Sequence, residues 1–178
     1  MGYTTDFEGV LTFDKPLTQK QRDYINCLSS TRRMKRDVNK LMKLYKGKHG
    51  NPGVKDKTPE AIYGYQGQYF ARDDGQMGQG DDGTVLDYNS PAGKGQPGLW
   101  CQWEISEDGT ELSWDGGEKF YNYVEWLKYL VNHFFNPWKK KLNGTIMWYG
   151  EDRSDIGKIK VTSNDVVVFD GEITFEDE

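Results

Sequence analysis

The tryptophans of this chain are concentrated in one part of its sequence, and they constrain the fold more than any other feature. All six lie within residues 100–148, and the segment 98–130 combines alternating runs with a helical one. The runs 99–104 and 111–114 flank a turn, which predicts a β-hairpin. From 120 to 134 apolar residues recur at i, i+3, i+4 and i+7, which predicts an amphipathic helix. Because aromatic side chains bury large apolar areas, this segment predicts the core.

The remaining pattern predicts a mixed α+β fold. An alternating run at 6–13 predicts a first strand, and the capping box of Thr18 and Gln21 starts a helix. A second, basic helix is predicted from about 32 to 45. Three strands follow the long helix, at 144–149, 157–162 and 166–169. This order predicts a ferredoxin-like βαββαβ core with a long helix-plus-loop insertion after the first helix and an added C-terminal β-hairpin; the alternative is the same elements in another strand order.

We expect a single domain over residues 1–178, since domains of about 100 to 200 residues are typical. The insertion spans approximately residues 30–97. It loses periodicity between 47 and 98, apart from an extended candidate at 68–72. A stretch this long without regular structure inside a compact domain is usually functional or mobile.

Charge is distributed unevenly along the chain. The net charge is -5, yet residues 15–57 carry 13 Lys and Arg against three acidic residues. Such a segment can meet phosphates, the acidic remainder of the chain, or only solvent. Overall acidity and the absence of aromatic residues interleaved with the cations of the basic helix argue against general nucleic-acid binding. Arg32, Arg33 and Arg36 remain candidate anion-binding residues, for example for the phosphate of a docked nucleotide.

The sequence indicates neither a membrane nor an oxidising compartment. No apolar run approaches the roughly 18 to 20 residues of a membrane span, and the first residues lack the regions of a signal peptide. Cys27 and Cys101 have no CxxC or Cys/His ligand pattern, which favours two reduced, buried thiols. We therefore expect a cytoplasmic protein.

Several strings spread along nearly the whole chain resemble one family. They are MGYTTDFEG, STRRMKRD, VLDYNSPAGKGQPGLWCQW, EDGTELSWDGGEKFYNYVEWLKYL and NGTIMWYGED. Together they resemble a family of small uncharacterised proteins of bacteriophages and bacteria. The resemblance implies a phage or prophage accessory protein in the host bacterial cytoplasm, and it carries over no cofactor and no functional residue.

The predicted long helix carries a second set of side chains opposite its apolar stripe. They recur at i, i+4, i+7 and i+11 and are Asn122, Trp126, Tyr129 and His133. Aromatic residues on an outer face need cover, from the insertion, from a second copy in a homodimer, or from a host protein or nucleotide-like ligand. The insertion adds three tyrosines to this candidate ligand- or partner-binding set, namely Tyr65, Tyr69 and Tyr88.

Acidic side chains suggest a different kind of site. The candidates are Asp73, Asp74, Asp81, Asp82, Asp87 and Glu118. Carboxylates from separate loops chelate divalent metals such as Mg²⁺ or Mn²⁺, and a metal pair supports phosphodiester hydrolysis. The spacing fits no known metal motif, and solvated loop acids are far commoner than metal sites.

Groups for nucleophilic catalysis are scarce. Neither His49 nor His133 has a motif partner, and Cys101 alternates as a strand residue. The sequence therefore favours a non-enzymatic phage accessory protein that binds a host protein or a nucleotide-like ligand, for example to counter host defence, without a cofactor. The alternatives are a metal-dependent phosphoester hydrolase that uses the loop carboxylates, and a structural or assembly protein.

Overall fold

The computed structural model describes residues 2–177 and divides the chain into two compact units. The first unit comprises residues 2–17 and 102–177, and the second comprises residues 18–101. The predicted domain 1–178 and the resembling string that starts at Met1 thus include end residues outside the described part. The second unit, residues 18–101, includes the residues of the insertion predicted at approximately 30–97. It also includes the first helix, which precedes them.

Helices and strands alternate irregularly along the chain, so the fold is mixed α+β. In chain order the elements are β1 (Thr5–Glu8), β2 (Leu11–Phe13), α1 (Gln19–Ser29), β3 (Met34–Arg36), α2 (Val38–Tyr45), α3 (Pro59–Tyr63), β4 (Val85–Pro91), β5 (Trp103–Ile105), β6 (Glu111–Trp114), α4 (Tyr123–Leu130), β7 (Leu142–Gly150), β8 (Ile156–Thr162) and β9 (Asp165–Asp170). A 3-10 turn at Tyr65–Gly67 follows α3, and α4 continues as a π-helical turn at Val131–Phe135. None of the helices in residues 2–177 has the length and apolarity needed to cross a membrane.

The first unit contains a seven-stranded sheet. Its strands follow the order β5-β6-β2-β7-β8-β9, and β1 also pairs with β7. Every pairing between these described strands is antiparallel. Because β2 is antiparallel to β6 and β6 to β5, β2 and β5 run in the same direction with β6 between them. By the same reasoning β6 and β7 run in the same direction with β2 between them.

The strand predicted at 6–13 is two strands, because the backbone bends at Gly9. Gly9 has φ +105, and a Cβ there would lie 2.6 Å from the carbonyl oxygen of Thr145. This close approach requires glycine and interrupts the pairing with β7. Both halves, β1 and β2, still pair with β7.

Aromatic side chains fill the core of the first unit, as the tryptophan-rich segment predicts. The ring of Phe7 lies 4.8 to 5.9 Å from the rings of Trp103, Trp114, Phe120 and Tyr123, always edge to face. The indole of Trp103 also donates a hydrogen bond to the carbonyl oxygen of Tyr123 at 2.9 Å. Such edge-to-face pairs add specificity to the area that the rings bury.

The second unit contains more regular structure than its sequence predicts. β3 and β4 form a two-stranded ribbon with two register shifts. The helix predicted at 32–45 is therefore wrong in its first part, which is β3. Asp37 then caps α2, since its carboxylate accepts hydrogen bonds from the backbone N–H groups of Asn39 and Lys40. The core of this unit comprises Leu41, Ile62, Tyr63 and Phe70.

Candidate functional site

The aromatic stripe of the long helix is buried. Trp126 is 1% exposed and Tyr129 is 4% exposed. The His133 ring lies 4.1 Å from the Tyr129 ring, and burial lowers the pKa of His133. Asn122 is exposed, but its φ of +56 makes it the backbone cap at which α4 begins. Within Tyr123–Leu130, Glu125 and Lys128 are exposed, whereas Trp126 and Tyr129 are covered within the chain. These two aromatic side chains therefore need no second copy and no ligand to cover them.

The three candidate tyrosines lie in the second unit and contact other residues of that unit. The ammonium group of Lys94 lies 4.2 Å from the centre of the Tyr65 ring. The guanidinium of Arg32 lies 4.1 Å from the centre of the Tyr88 ring. Tyr69 is half-buried, and burial raises the pKa of its hydroxyl. Cations thus already cover two of these rings within the chain.

Two of the three candidate arginines are buried. Arg33 and Arg36 are each 2% exposed. Arg33 donates to the carbonyl oxygen of Gln68 at 2.7 Å. Arg36 forms a 3.1 Å ion pair with Asp82 and donates to the hydroxyl of Thr84 at 2.7 Å. These two guanidinium groups stabilise the second unit and do not face an external anion.

The loop aspartates close turns. Each carboxylate accepts a hydrogen bond from the backbone N–H two residues ahead, which is the pattern of an Asx turn. This holds for Asp73, Asp74, Asp81, Asp82 and Asp87. Glu118 belongs to the first unit and is exposed. Across residues 2–177, no three or more His, Cys, Asp or Glu side chains are grouped so that they could hold a metal ion.

A basic cleft of about 690 Å³ lies in the second unit. One wall is the loop of residues 46–53 that follows α2. The cleft is also lined by Lys20 of α1, by Lys57, which precedes α3, and by Ile62 of α3. Four lysines and one histidine line the cleft, and its lining includes no Asp or Glu. The lining is therefore strongly positive, in a chain whose net charge is negative.

A buried tyrosine fixes the start of the cleft loop. Lys46 ends α2 with φ +55, and Gly47 follows with φ +88. The hydroxyl of Tyr63 accepts a hydrogen bond from the Gly47 N–H at 2.9 Å and donates one to the carbonyl oxygen of Lys48 at 2.9 Å. Tyr63 is fully buried, and burial raises its pKa. The loop is therefore attached to the core of the second unit at the point where its lysines begin.

The middle of the loop packs closely on α3. A Cβ on Gly50 would overlap the side chain of Ile62, so this position requires glycine. The next residue, Asn51, donates its backbone N–H to the carbonyl oxygen of Ile62 at 2.9 Å. Its side-chain oxygen Oδ1 is buried and has no hydrogen-bond partner. A buried acceptor without a partner costs free energy, so the contacts of Gly50 and of the Asn51 N–H with α3 outweigh this cost.

The cations of the cleft differ in their surroundings. Lys20, Lys46 and Lys48 are exposed, whereas the Lys57 ammonium donates to a backbone carbonyl oxygen at 2.8 Å. His49 lies against the Tyr45 ring with 5.3 Å between ring centres. Partial burial, and then the nearby positive charges of Arg72 and Lys48, lower the pKa of His49. His49 is therefore neutral at pH 7 and gains a charge only in acid.

The residues that line this cleft are not among the candidate site residues predicted from the sequence. The basic segment 15–57 includes all four lysines, and Gly47, Gly50 and Gly53 recur at every third position. This spacing, next to a helix that ends in lysine, is the signal that distinguishes the loop from the basic helix before it.

Comparisons of the chain with protein-family models, with curated proteins and with solved structures found no match.

Proposed function

We propose that this chain is a non-enzymatic binding protein that takes an anionic, phosphate-bearing ligand in the cleft of residues 46–53. One observation carries the proposal: four lysines and a histidine line a cleft whose lining includes no carboxylate. Its volume of about 690 Å³ lies within the roughly 300 to 1,000 Å³ of small-molecule sites. Nucleotide-like ligands belong to this class.

The chemistry of the lining supports a phosphate group more than a carboxylate. Four lysines favour a multiply charged phosphate over a singly charged carboxylate, and their ammonium groups act as compact point charges that several phosphate oxygens can share. Gly53 has open space where a side chain would lie, so the loop backbone is accessible to a ligand at this position. Met42 and Ile62 add an apolar patch for the uncharged part of a ligand.

We extend the proposal to the setting in which binding takes place. The resemblance to phage and bacterial proteins supports an accessory role in the host bacterial cytoplasm. There the protein would withhold a nucleotide-like ligand from the host and so counter its defence. A direct contact with a host protein is the less supported part of this proposal, because the side chains of Trp126 and Tyr129 are buried.

We also propose that the first unit has a ferredoxin-like core. The order β5-β6-β2-β7 supports this arrangement, since two pairs of strands run in the same direction, each with an antiparallel strand between its members. This is the split β-α-β pattern. α4 connects β6 to β7 in one of the two pairs.

Isothermal titration calorimetry with pyrophosphate and with ATP tests the proposed cleft. We expect both to bind, and the double variant Lys46→Gln/Lys48→Gln to bind each about tenfold more weakly, because it loses about 1.4 kcal/mol of charge-assisted contact. The matched control is Lys128→Gln/Lys139→Gln, which removes two exposed lysines of the first unit. Equal weakening by both double variants, or no binding by the unaltered chain, would refute the proposed site.

A further inference from the structure

The last three strands of the first unit expose apolar side chains on one face. Met147 pairs with Lys158 and Lys158 with Phe169, so their side chains form one row across the sheet. Met147 and Phe169 are each 44% exposed. The next row on the same face contains Tyr149 and Ile156. A patch of this kind on a sheet marks an interaction surface.

A hollow of about 240 Å³ lies in this patch. Its lining includes Met147, Tyr149, Ile156 and Phe169, together with Gly171. The backbone N–H of Gly171 donates to the carbonyl oxygen of Ile156 at 2.8 Å, so the glycine continues the pairing of β9 with β8. The hollow accommodates one large apolar side chain and not a whole helix or strand.

Two lysines give this face a positive charge. Lys158 and Lys160 alternate with the buried Ile159 on β8 and point to the outer face. The Lys158 ammonium lies 5.2 Å from the centre of the Phe169 ring, which places it beside the hollow. β8 therefore adds positive charge to an apolar face, and the carboxylate-bearing residues Asp170 and Glu172 also line the hollow.

The segment that follows β9 has the complementary chemistry. Residues 172–177 read EITFED, with three acidic residues, and their apolar side chains are solvent-exposed. Ile173 is 51% exposed and Phe175 is 90% exposed. Glu172 borders the hollow of its own copy, and Ile173 lines a separate hollow beside the turn of residues 152–154. Within one copy the segment therefore leads away from the first hollow after Glu172.

We propose that the outer face of β7, β8 and β9 binds residues 172–177 of a second copy of this chain. Phe175 of that copy occupies the hollow between Met147 and Phe169. The flanking Glu172 and Glu176 lie near Lys158 and Lys160, where opposite charges attract. Reciprocal exchange between two copies makes the contact twice and gives a closed, symmetric dimer.

Sedimentation velocity over a wide range of protein concentration tests this surface. We expect a dimer whose dissociation constant rises at least tenfold in Phe175→Ala, because the variant removes the side chain that fills the hollow. Lys158→Glu is expected to weaken the dimer as well, and Lys158→Glu/Glu176→Lys to recover part of that loss. Met77→Ala is the matched control, since Met77 is an exposed apolar residue of the second unit.

A monomer at every concentration overturns the proposal, and so does a dimer that Phe175→Ala leaves unchanged. A monomer in which a fluorinated Phe175 is shielded from solvent means that the segment folds back on its own copy, which also overturns it. None of these outcomes depends on the basic cleft, because all the residues changed to probe the dimer, apart from the control, belong to the first unit.

Discussion

His49 occupies a left-handed backbone position, with φ +65, on the wall of the basic cleft. Partial burial, and then the charges of Arg72 and Lys48, lower its pKa below the ordinary value of 6.5. A bound anion stabilises the protonated imidazole and so raises this pKa. Ligand binding and proton uptake are therefore linked at mildly acidic pH.

We predict that pyrophosphate binding below pH 7 takes up more protons in the unaltered chain than in His49→Asn. Pyrophosphate exchanges its own protons in both cases, but only the unaltered chain has the imidazole. Calorimetry in two buffers with different ionisation enthalpies measures the uptake, and asparagine tolerates the left-handed backbone at this position. The chain has one other histidine, His133, and His133→Gln leaves the uptake unchanged. Equal uptake by the unaltered chain and by His49→Asn would contradict this role.

Single arginines show the limit of sequence reasoning at this scale. Arg33 and Arg36 lie in the run RRMKR, which has the composition of a solvated or phosphate-binding face. Both are buried instead, and the hydrogen-bond partners that make this burial possible lie far away in the sequence. Arg36 pairs with Asp82 and Arg33 contacts Gln68. No local pattern encodes a contact between residues 46 or 35 positions apart.

The ribbon of β3 and β4 depends on the ion pair of Arg36, at the end of β3, with Asp82, shortly before β4. We predict that Asp82→Asn lowers the free energy of unfolding by about 3 kcal/mol, because it leaves a buried guanidinium without its partner. Denaturant unfolding measures the loss. Asp81→Asn is the control: Asp81 is exposed and only closes a turn, which asparagine also closes, so we expect less than about 0.5 kcal/mol.

The effect of Asp82 also depends on pH. Burial alone would raise the pKa of Asp82, but hydrogen bonds from Thr84 and Tyr45 and the charge of Arg36 together lower it below the ordinary 3.8. The stabilisation is therefore complete above the unfolded pKa and is lost as the pH falls through the folded one. The free energy of unfolding of the unaltered chain therefore approaches that of Asp82→Asn as the solution becomes acidic. A difference that stays constant down to low pH would argue against the ion pair.

Among the elements, those with a strong local signal were predicted best. The capping box of Thr18 and Gln21 is present at the start of α1, and the hairpins β5–β6 and β8–β9 form where alternation and turns coincide. β3 was missed because a three-residue strand is defined by its pairing with β4, more than 45 residues later. Asp37 caps α2, but the sequence pattern placed this capping residue in the interior of a longer helix.

The whole molecule separates its charge between two units. The second unit contains most of the basic segment 15–57 and the cleft, and the first contains the sheet and the acidic segment 172–177. The mixed α+β class followed from the order of patterns along the chain. The division into units did not follow from these patterns. The sheet joins strands that come before the second unit in the sequence to strands that come after it. Pairings this distant leave no local periodicity.

Phosphate binding by the loop of residues 46–53 is tested residue by residue by an NMR titration of the ¹⁵N-labelled chain with pyrophosphate. We predict that the largest amide shifts occur at Gly47, Lys48, His49 and Gly50, saturate together, and leave β7, β8 and β9 unchanged. Saturable shifts centred on the first unit, or no saturable shifts in the loop, would contradict phosphate binding by this loop.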